Sequence, residues 1–572
     1  MSRKSIKFAS VMLAICITMT LFAGCGNTEQ NADNSSTGSS TTASSQAAGG
    51  ESQADPYGKK LEEYTEDMKL SPYYGIGTAS PTDPVNNATV KYIRDKFKID
   101  LSGSIFISGE NPVDKISMMI ASNDMPEVVC MGVDTTMKEL VNKFADAGMI
   151  IETSDYIQKF MPNLNKHFTD TILNSYVNAK DDKLYCIPGG TVNTDLKDFK
   201  YTVEANLDLA IRTDLLAKVG KSVPTNPDEL YGVLKAFKDL PAVNGNKMIP
   251  YQPLSEGGDI QTHIGAMFGI WTHRGAVNES EQRMTVMQEF PDYLQYLKYA
   301  AKLFREGLID PETYKTTYQI VYERVKQGRV GLYGIWPNDI INNNAAMKVN
   351  FPDAEYEPIK LPRVAGLENT QFWPVSTYGW MMTIVSKKVK DPERVIKLID
   401  WMASPEGWAT MCWGAPSKED GAFYIENGKL IHNTEFVQKK AAEDPTYIGK
   451  NRGGWVYFLT ALLQYLPTQI CDVAGDVNPL RTKAAELNKD DLYINPEQEA
   501  IDQLPMGPVK KEKFPVVTTL LKEKEAKLIM TAKDDAQVET MYNDMMKEAV
   551  KAGLYDYLKE DYQAVQALKA KK

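Results

Sequence analysis

Eight tryptophans punctuate this 572-residue chain, and their settings sort them by what they could do. Trp401 and Trp408 lie within or at the end of a helical pattern and read as core, whereas Trp271, Trp336, Trp373, Trp380, Trp413 and Trp455 stand near Gly, Pro or Asn in loop-like settings. A flat ring with planar polar groups beside it is suited to a molecule with apolar C–H faces and a fringe of hydroxyls, as a sugar has. About half of six such rings would be expected to touch a ligand and the rest to pack between elements. Arg329-Val-Gly-Leu-Tyr-Gly-Ile335 predicts a strand, which puts Trp336-Pro-Asn-Asp339 at its carboxyl end, where open α/β sheets hold ligands. Asp339 there would either accept paired hydroxyls or cap a helix. Trp373 and Tyr378 flank Pro374 and Gly379, Trp271 follows a glycine-containing apolar stretch, and Arg212 reads first as half of an ion pair and second as a donor to a hydroxyl or carboxylate. The expected ligand-binding set is therefore Trp336, Asp339, Trp373, Tyr378, Trp271, Trp413 and Arg212.

Covalent and acid–base chemistry finds little footing. The four histidines, His167, His263, His273 and His432, are scattered, and no Gly-x-Ser-x-Gly, His-Glu-x-x-His or phosphate-binding glycine loop occurs. With 75 acidic residues, a pair of carboxylates can always be found, so their presence is no argument for a hydrolase. Cys130, Cys186, Cys412 and Cys471 have no Cys-x-x-Cys spacing and make no zinc site; they read mostly as buried thiols, with one disulfide compatible with export.

The ends and the charge set the compartment. Arg3, Lys4 and Lys7 precede an apolar run from Phe8 to Phe22, the layout of a secretory signal peptide over residues 1–24, and the run is too short for a comfortable permanent span. Leu21-Phe22-Ala23-Gly24-Cys25 resembles the lipobox of bacterial lipoproteins, with Phe22 where the pattern has an aliphatic residue, and so implies that Cys25 is acylated. From Gly26 to Asp55 the chain is nearly all Ser, Thr, Gly, Ala, Asn and Gln, which predicts an unfolded tether of 30 residues with an end-to-end distance of about 30 Å. Residues 1–24 carry three basic and no acidic side chains, so their removal takes the formal charge from −11 to −14. That balance argues against nucleic acid and anionic membrane surfaces as partners.

Some 515 residues remain beyond the tether, more than one core usually supports, which predicts two lobes. Strand-like and helix-like stretches alternate, as in an α/β fold. Ile99-Asp-Leu-Ser-Gly-Ser-Ile-Phe-Ile reads as one strand; Ile116, Met119 and Ile120 mark a helical face after Pro112; Pro126-Glu-Val-Val-Cys reads as a buried strand. Asp391-Pro392 has an N-cap and first-turn signature, followed by Val395, Leu398, Ile399 and Met402 at helical spacing. Another helix opens near Pro291, carries Leu294, Leu297, Ala301 and Phe304, and stops at Gly307.

Several segments together resemble the extracellular solute-binding proteins of carbohydrate ABC importers, particularly the large lipoprotein members. They are Lys115-Ile-Ser-Met-Met-Ile-Ala-Ser-Asn-Asp-Met-Pro-Glu-Val-Val129; Asp182-Lys-Leu-Tyr-Cys-Ile-Pro188, with Asp182 where the pattern has glycine; Leu209-Ala-Ile-Arg-Thr-Asp-Leu-Leu-Ala-Lys-Val-Gly220 with Pro224 and Thr225; and Leu303-Phe-Arg-Glu-Gly-Leu-Ile-Asp-Pro-Glu312. The resemblance spans roughly residues 60–560. It implies a two-lobed periplasmic-binding-protein-like α/β fold of type II, with a hinge and an interlobe cleft. The lobes are expected at 59–190 plus about 336–380, and at about 191–335 plus 381–572. It further implies a monomer on the outer face of the cytoplasmic membrane that passes an oligosaccharide to ABC permease subunits and performs no catalysis. The family's calcium loop would fall at Phe237-Lys-Asp-Leu-Pro-Ala-Val-Asn-Gly-Asn-Lys-Met-Ile-Pro250, which keeps only Asn244, Gly245 and Asn246, so no metal and no cofactor are expected. The alternatives are a secreted polysaccharide-active enzyme and a peptide-binding or sensory lipoprotein.

Overall fold

The computed structural model describes residues 58–75, 84–106, 111–178, 180–191, 208–254, 260–273, 275–335, 337–371, 373–374, 378–443, 459, 479–488, 490–493 and 506–570. The signal segment, Cys25, the tether, Trp336, Trp455 and Cys471 lie outside them. No described helix is long and apolar enough to cross a membrane.

The strands that build the architecture are, in chain order, β1 (Tyr73–Gly75), β2 (Ile105–Phe106), β3 (Val128–Gly132), β4 (Ile187–Gly189), β5 (Asp208–Arg212), β6 (Ile249–Gln252), β7 (Val330–Ile335), β8 (Tyr356–Ile359), β9 (Trp373–Pro374), β10 (Met381–Val385) and β11 (Leu492–Tyr493). The helices used below are α1 (Pro227–Lys238), α2 (Pro291–Arg305), α3 (Pro337–Lys348), α4 (Pro392–Met402), α5 (Pro405–Trp413), α6 (Pro479–Asn488) and α7 (Pro508–Thr531).

Two sheets result. The first has the order β2-β1-β3-β10-β4, with β1 parallel to β2 and β3, and β10 antiparallel to β3 and β4. The second has the order β6-β7-β5-β8, with β6 parallel to β7, and β5 antiparallel to β7 and β8. Each sheet lies in its own core. Tyr73, Val128, Val129, Met382, Ile384, Val395 and Leu398 belong to one, and Ile211, Leu230, Phe237, Tyr251, Leu297, Leu332 and Leu528 to the other. This is a two-lobed α/β architecture.

Local chemistry explains why the elements begin where they do. The Asn226 side chain accepts from the Glu229 N–H at 2.9 Å and Pro227 starts α1, while Glu229 returns its carboxylate to the Thr225 N–H at 2.8 Å. Asp391 caps α4 by accepting from the Arg394 N–H at 3.1 Å, and Val395, Leu398, Ile399 and Met402 are buried as the spacing predicts. Asp182 stands at φ 56°, the left-handed conformation for which the related pattern uses glycine; aspartate is among the residues that tolerate it.

Two expectations change. The single strand over Ile99–Ile107 is broken: Ile99–Asp100 and β2 are separate because the Asp100 carboxylate takes the Ser102 N–H at 2.9 Å and turns the chain. The lobe boundaries also move. The segment from Met381 onward was expected in the second lobe, but β10 inserts between β3 and β4, since its five residues are all buried and need neighbours on both sides. Conversely α3 and β8, expected with the first lobe, pack in the second. In chain order β4 of the first sheet is followed by β5 of the second, and β8 of the second by β10 of the first.

A buried acid supplies a prediction here. Asp400 on α4 is 4% exposed and accepts from the backbone N–H groups of Asn163 and Leu164, each at 2.9 Å, and from Asn163 Nδ2 at 2.8 Å. Burial outweighs these bonds and pushes its pKa up to about 6. Because this lies above the unfolded value of about 3.9, the group adds stability below about pH 4 that is lost as pH rises through about 6. Asp400→Asn keeps an acceptor for the two backbone donors and should flatten the melting-temperature profile between those limits. An unchanged profile would show that another group titrates.

Candidate functional site

The strand directions bring particular backbone ends together. On the first sheet the carboxyl ends of β1, β2, β3 and β4 share one edge with the amino end of β10; on the second, the carboxyl ends of β6, β7 and β8 share one edge with the amino end of β5. The connections from β4 to β5 and from β8 to β10 run between these same two edges. Those edges are where α/β folds place ligands.

On the first edge the ladder continues into Trp380, whose N–H donates to Gly189 O at 3.2 Å and whose carbonyl accepts from the Val133 N–H at 3.0 Å. Its half-buried indole lies directly over Gly190, where a Cβ would come within 2.2 Å of the ring. Gly190 has φ 69°, and Gly379 has φ 91° with its own missing Cβ only 2.3 Å from Gly189 O. A side chain at Gly190 would push the ring off the edge, and one at Gly379 would force the two backbones apart. Neighbouring positions are filled: Tyr378 is 7% exposed, and its carbonyl accepts from the Tyr176 hydroxyl at 2.6 Å.

The expected residues separate into groups. Trp336 lies outside the described residues; Asp339 stands in the first turn of α3 at the carboxyl end of β7 and Trp373 in β9, with no side chain described for either. Trp271 lies in a 3-10 turn, Ile270–His273, half-buried against the second core. Two assignments, Trp413 and Tyr378, are corrected, and the first reading of Arg212, as half of an ion pair, holds over its place in the ligand-binding set. Trp413 ends α5 at 5% exposure, with ring centroids 5.7 Å from Trp408, 5.9 Å from Phe423 and 5.1 Å from His432, so it is core. Its neighbour Gly414 only looked like a loop; it is the turn that ends the helix. Tyr378 is inside the sheet edge rather than on it. Arg212 ends β5, which runs antiparallel, and therefore sits at the edge of the second sheet opposite the one shared by the connections. There it makes two 2.6 Å bonds to Asp214 and donates to Gly328 O at 3.2 Å, a structural ion pair.

Trp380 was legible only as one of six loop-side tryptophans. The signal that could have raised it is Gly189-Gly190 and Gly379 bracketing one indole before a strand that is apolar but for Thr383.

The segment of the family's metal loop is a tight hairpin turn. Val243 and Asn246 exchange backbone bonds of 2.8 and 2.9 Å around Asn244 at φ 49° and Gly245 at φ 77°. Among the described residues, no three His, Cys, Asp or Glu side chains are grouped to hold a metal ion. Cys130 and Cys186 are buried free thiols, each pushed up to about 12 by burial.

The model of the bacterial extracellular solute-binding proteins matches residues 98–407, more than half of the chain. The chain belongs to that family. Its members are binding proteins. Among curated relatives, the fructooligosaccharide ABC transporter substrate-binding protein FusA of Streptococcus pneumoniae serotype 4 is 26% identical over 279 residues, 47% of this chain and 50% of that protein. The match therefore spans half the length of that relative. The polygalacturonan/rhamnogalacturonan-binding protein YtcQ of Bacillus subtilis is 25% identical over 422 residues, 68% of this chain and 74% of that protein. Among solved structures, the S. pneumoniae FusA complex with kestose superposes with a TM-score of 0.65 at 20% identity, covering 88% of this chain and 100% of that one. That likeness carries the fold: two-domain, α/β and binding-protein-like.

Proposed function

We propose that this solute-binding protein is the lipid-anchored, substrate-capturing component of an ABC importer, and that it holds an oligosaccharide between two closing lobes without altering it. The observation that carries the reading is the indole of Trp380 over Gly190, at an edge from which both described strand connections leave for the other sheet. On this reading one lobe is built from the described residues of 58–191 and 378–459, the other from those of 208–371 and 479–570. A ligand touching both edges would favour the closed state by its differential affinity. The relatives named above, whose names carry fructooligosaccharide and polygalacturonan/rhamnogalacturonan, support a sugar of more than one residue. Trp336, Asp339, Trp373 and Trp271 are the proposed partners of Trp380, and permease subunits would read the closed shape.

Calorimetric titration and thermal melts across fructo-oligosaccharides, oligogalacturonides and oligopeptides test this. At a free ligand concentration of about 100 times Kd, one carbohydrate class should stabilise the fold by about 2.7 kcal/mol and be recovered intact by chromatography. Cleaved sugar would favour the enzyme alternative, and stabilisation by peptides alone the peptide-binding one.

The anchor is tested separately. Cys25→Ala should release the protein from the membrane into the medium, because the segment from Gly26 to Asp55 offers no other apolar attachment. Retention of that variant on membranes in high salt would overturn the lipoprotein reading.

A further inference from the structure

We infer that α7 is a helical arm of the second lobe that reaches the first, and that the ion pair at its tip, Lys511 with Glu139, is a latch favouring lobes in contact; this rests on the two-lobed reading above. Lys511 Nζ lies 2.8 Å from Glu139 Oε1. Glu139 belongs to the helix Thr135–Asp146, which begins just beyond the carboxyl end of β3 and packs Met137, Leu140, Val141 and Phe144 into the first core. Lys511 stands in the first turn of α7, whose Val517, Leu521, Leu528 and Ile529 lie in the second core. The contact therefore joins two side chains whose helices are built into different lobes.

Both ends of the arm are held. At its root Glu525 accepts from the hydroxyls of Tyr293 and, at 2.6 Å, of Tyr296, both on α2, and from Gln261 Nε2 at 3.3 Å. At 1.5 Å per helical residue, Lys511 stands about 21 Å along the helix from that root. The tip is braced by the helix Leu554–Lys569. Its Glu560 accepts from the N–H groups of Val509 at 3.2 Å and Lys510 at 2.7 Å, and its Asp561 lies 2.9 Å from Lys510 Nζ. Carboxylates at a helix N-terminus also complement its dipole. On the first lobe, Lys138 beside Glu139 donates to Ser175 O at 3.1 Å and stands 4.4 Å from the ring centroid of Tyr176, whose hydroxyl holds Tyr378 O two residues before Trp380. The latch thus lands on the helix that borders the edge proposed to hold sugar. Its two side chains are 52% and 38% exposed, so the pair is worth a factor of a few in an equilibrium. A bias of that size favours contact between the lobes and still lets them part to release a ligand.

Lys511 and Glu139 are then positioning residues for closure, and the population of the closable state enters directly into the apparent dissociation constant. The test uses the full chain carrying a fluorophore pair at the exposed positions Ser122 and Lys547, one per lobe, introduced as non-natural amino acids. Lys511→Glu and, independently, Glu139→Lys put like charges at the contact. Each should lower the ratio of near to far lobe separations, measured without sugar, roughly threefold, and raise the apparent Kd for the oligosaccharide bound by the parent about twofold. The double variant carrying both changes restores opposite charges and should return both readings most of the way to the parent, which a merely local effect of either substitution would not do. Raising salt to about 1 M should move the parent in the direction of the single variants, because an exposed pair is screened. An unchanged distance ratio in both single variants, a Kd that falls in them, or a double variant no better than either would overturn the latch. If the parent binds no carbohydrate the proposed function falls, but the distance ratio and its rescue still decide the latch.

Discussion

Trp380→Ala is expected to weaken oligosaccharide binding by at least about twentyfold while the unliganded protein stays folded. The indole occupies an edge position from which it can desolvate one face of a sugar ring, and alanine leaves that face against water and Gly190. Losing an aromatic anchor from a buried site costs on the order of 2 kcal/mol or more, which sets the twentyfold figure. Trp380→Phe should restore most of the affinity, because it keeps a flat apolar ring without the indole N–H. Calorimetric titration of both variants with the sugar bound by the parent measures the contrast. Affinity within twofold of the parent in Trp380→Ala would remove this ring from the site and leave Trp336, Trp373 and Trp271 as the aromatic candidates.

Trp413→Ala should do the opposite: a loss of about 3–5 kcal/mol in stability with little change in intrinsic affinity. The ring is 5% exposed and meets Trp408, Phe423 and His432 edge-on, so truncation opens a large cavity between α5 and the Phe423–His432 hairpin. In a chain of this size the shift corresponds to a melting temperature lower by about 3–5 °C. Scanning calorimetry reads the stability, and titration at a temperature where the variant is still folded reads the affinity. A variant that melts with the parent but binds weakly would return Trp413 to the ligand and reverse the correction made above.

These two tryptophans illustrate why local sequence sorts elements better than sites. Trp413 and Trp380 both stand beside a glycine, and the glycines do different work. Gly414 follows the helix that Trp413 ends, whereas Gly379 lets the chain pass close to Gly189 so that Trp380 can continue a ladder. A glycine neighbour reports backbone freedom, not the direction in which the next ring points. Arg212 reads first as half of an ion pair and is one, with Asp214; what the sequence did not carry is the antiparallel direction of β5, which takes the guanidinium to the opposite edge.

What the sequence determined by itself was whatever depends on near neighbours in the chain. The α/β alternation, the cap at Asp391, the buried face of α4 and the strand before Trp336 all follow from spacing and hydrogen bonding within a few residues. The ordered segments that resemble one family, from Lys115–Val129 to Leu303–Glu312, were enough to name the family that the matched residues 98–407 then showed. Tertiary structure alone decided which lobe owns Met381–Val385, which edge each side chain meets, and that Lys511 finds Glu139. Those outcomes rest on strand direction and on contacts between residues far apart along the chain, and neither leaves a periodicity or a motif to read, because burial against a distant partner makes the same local demand whichever partner supplies it.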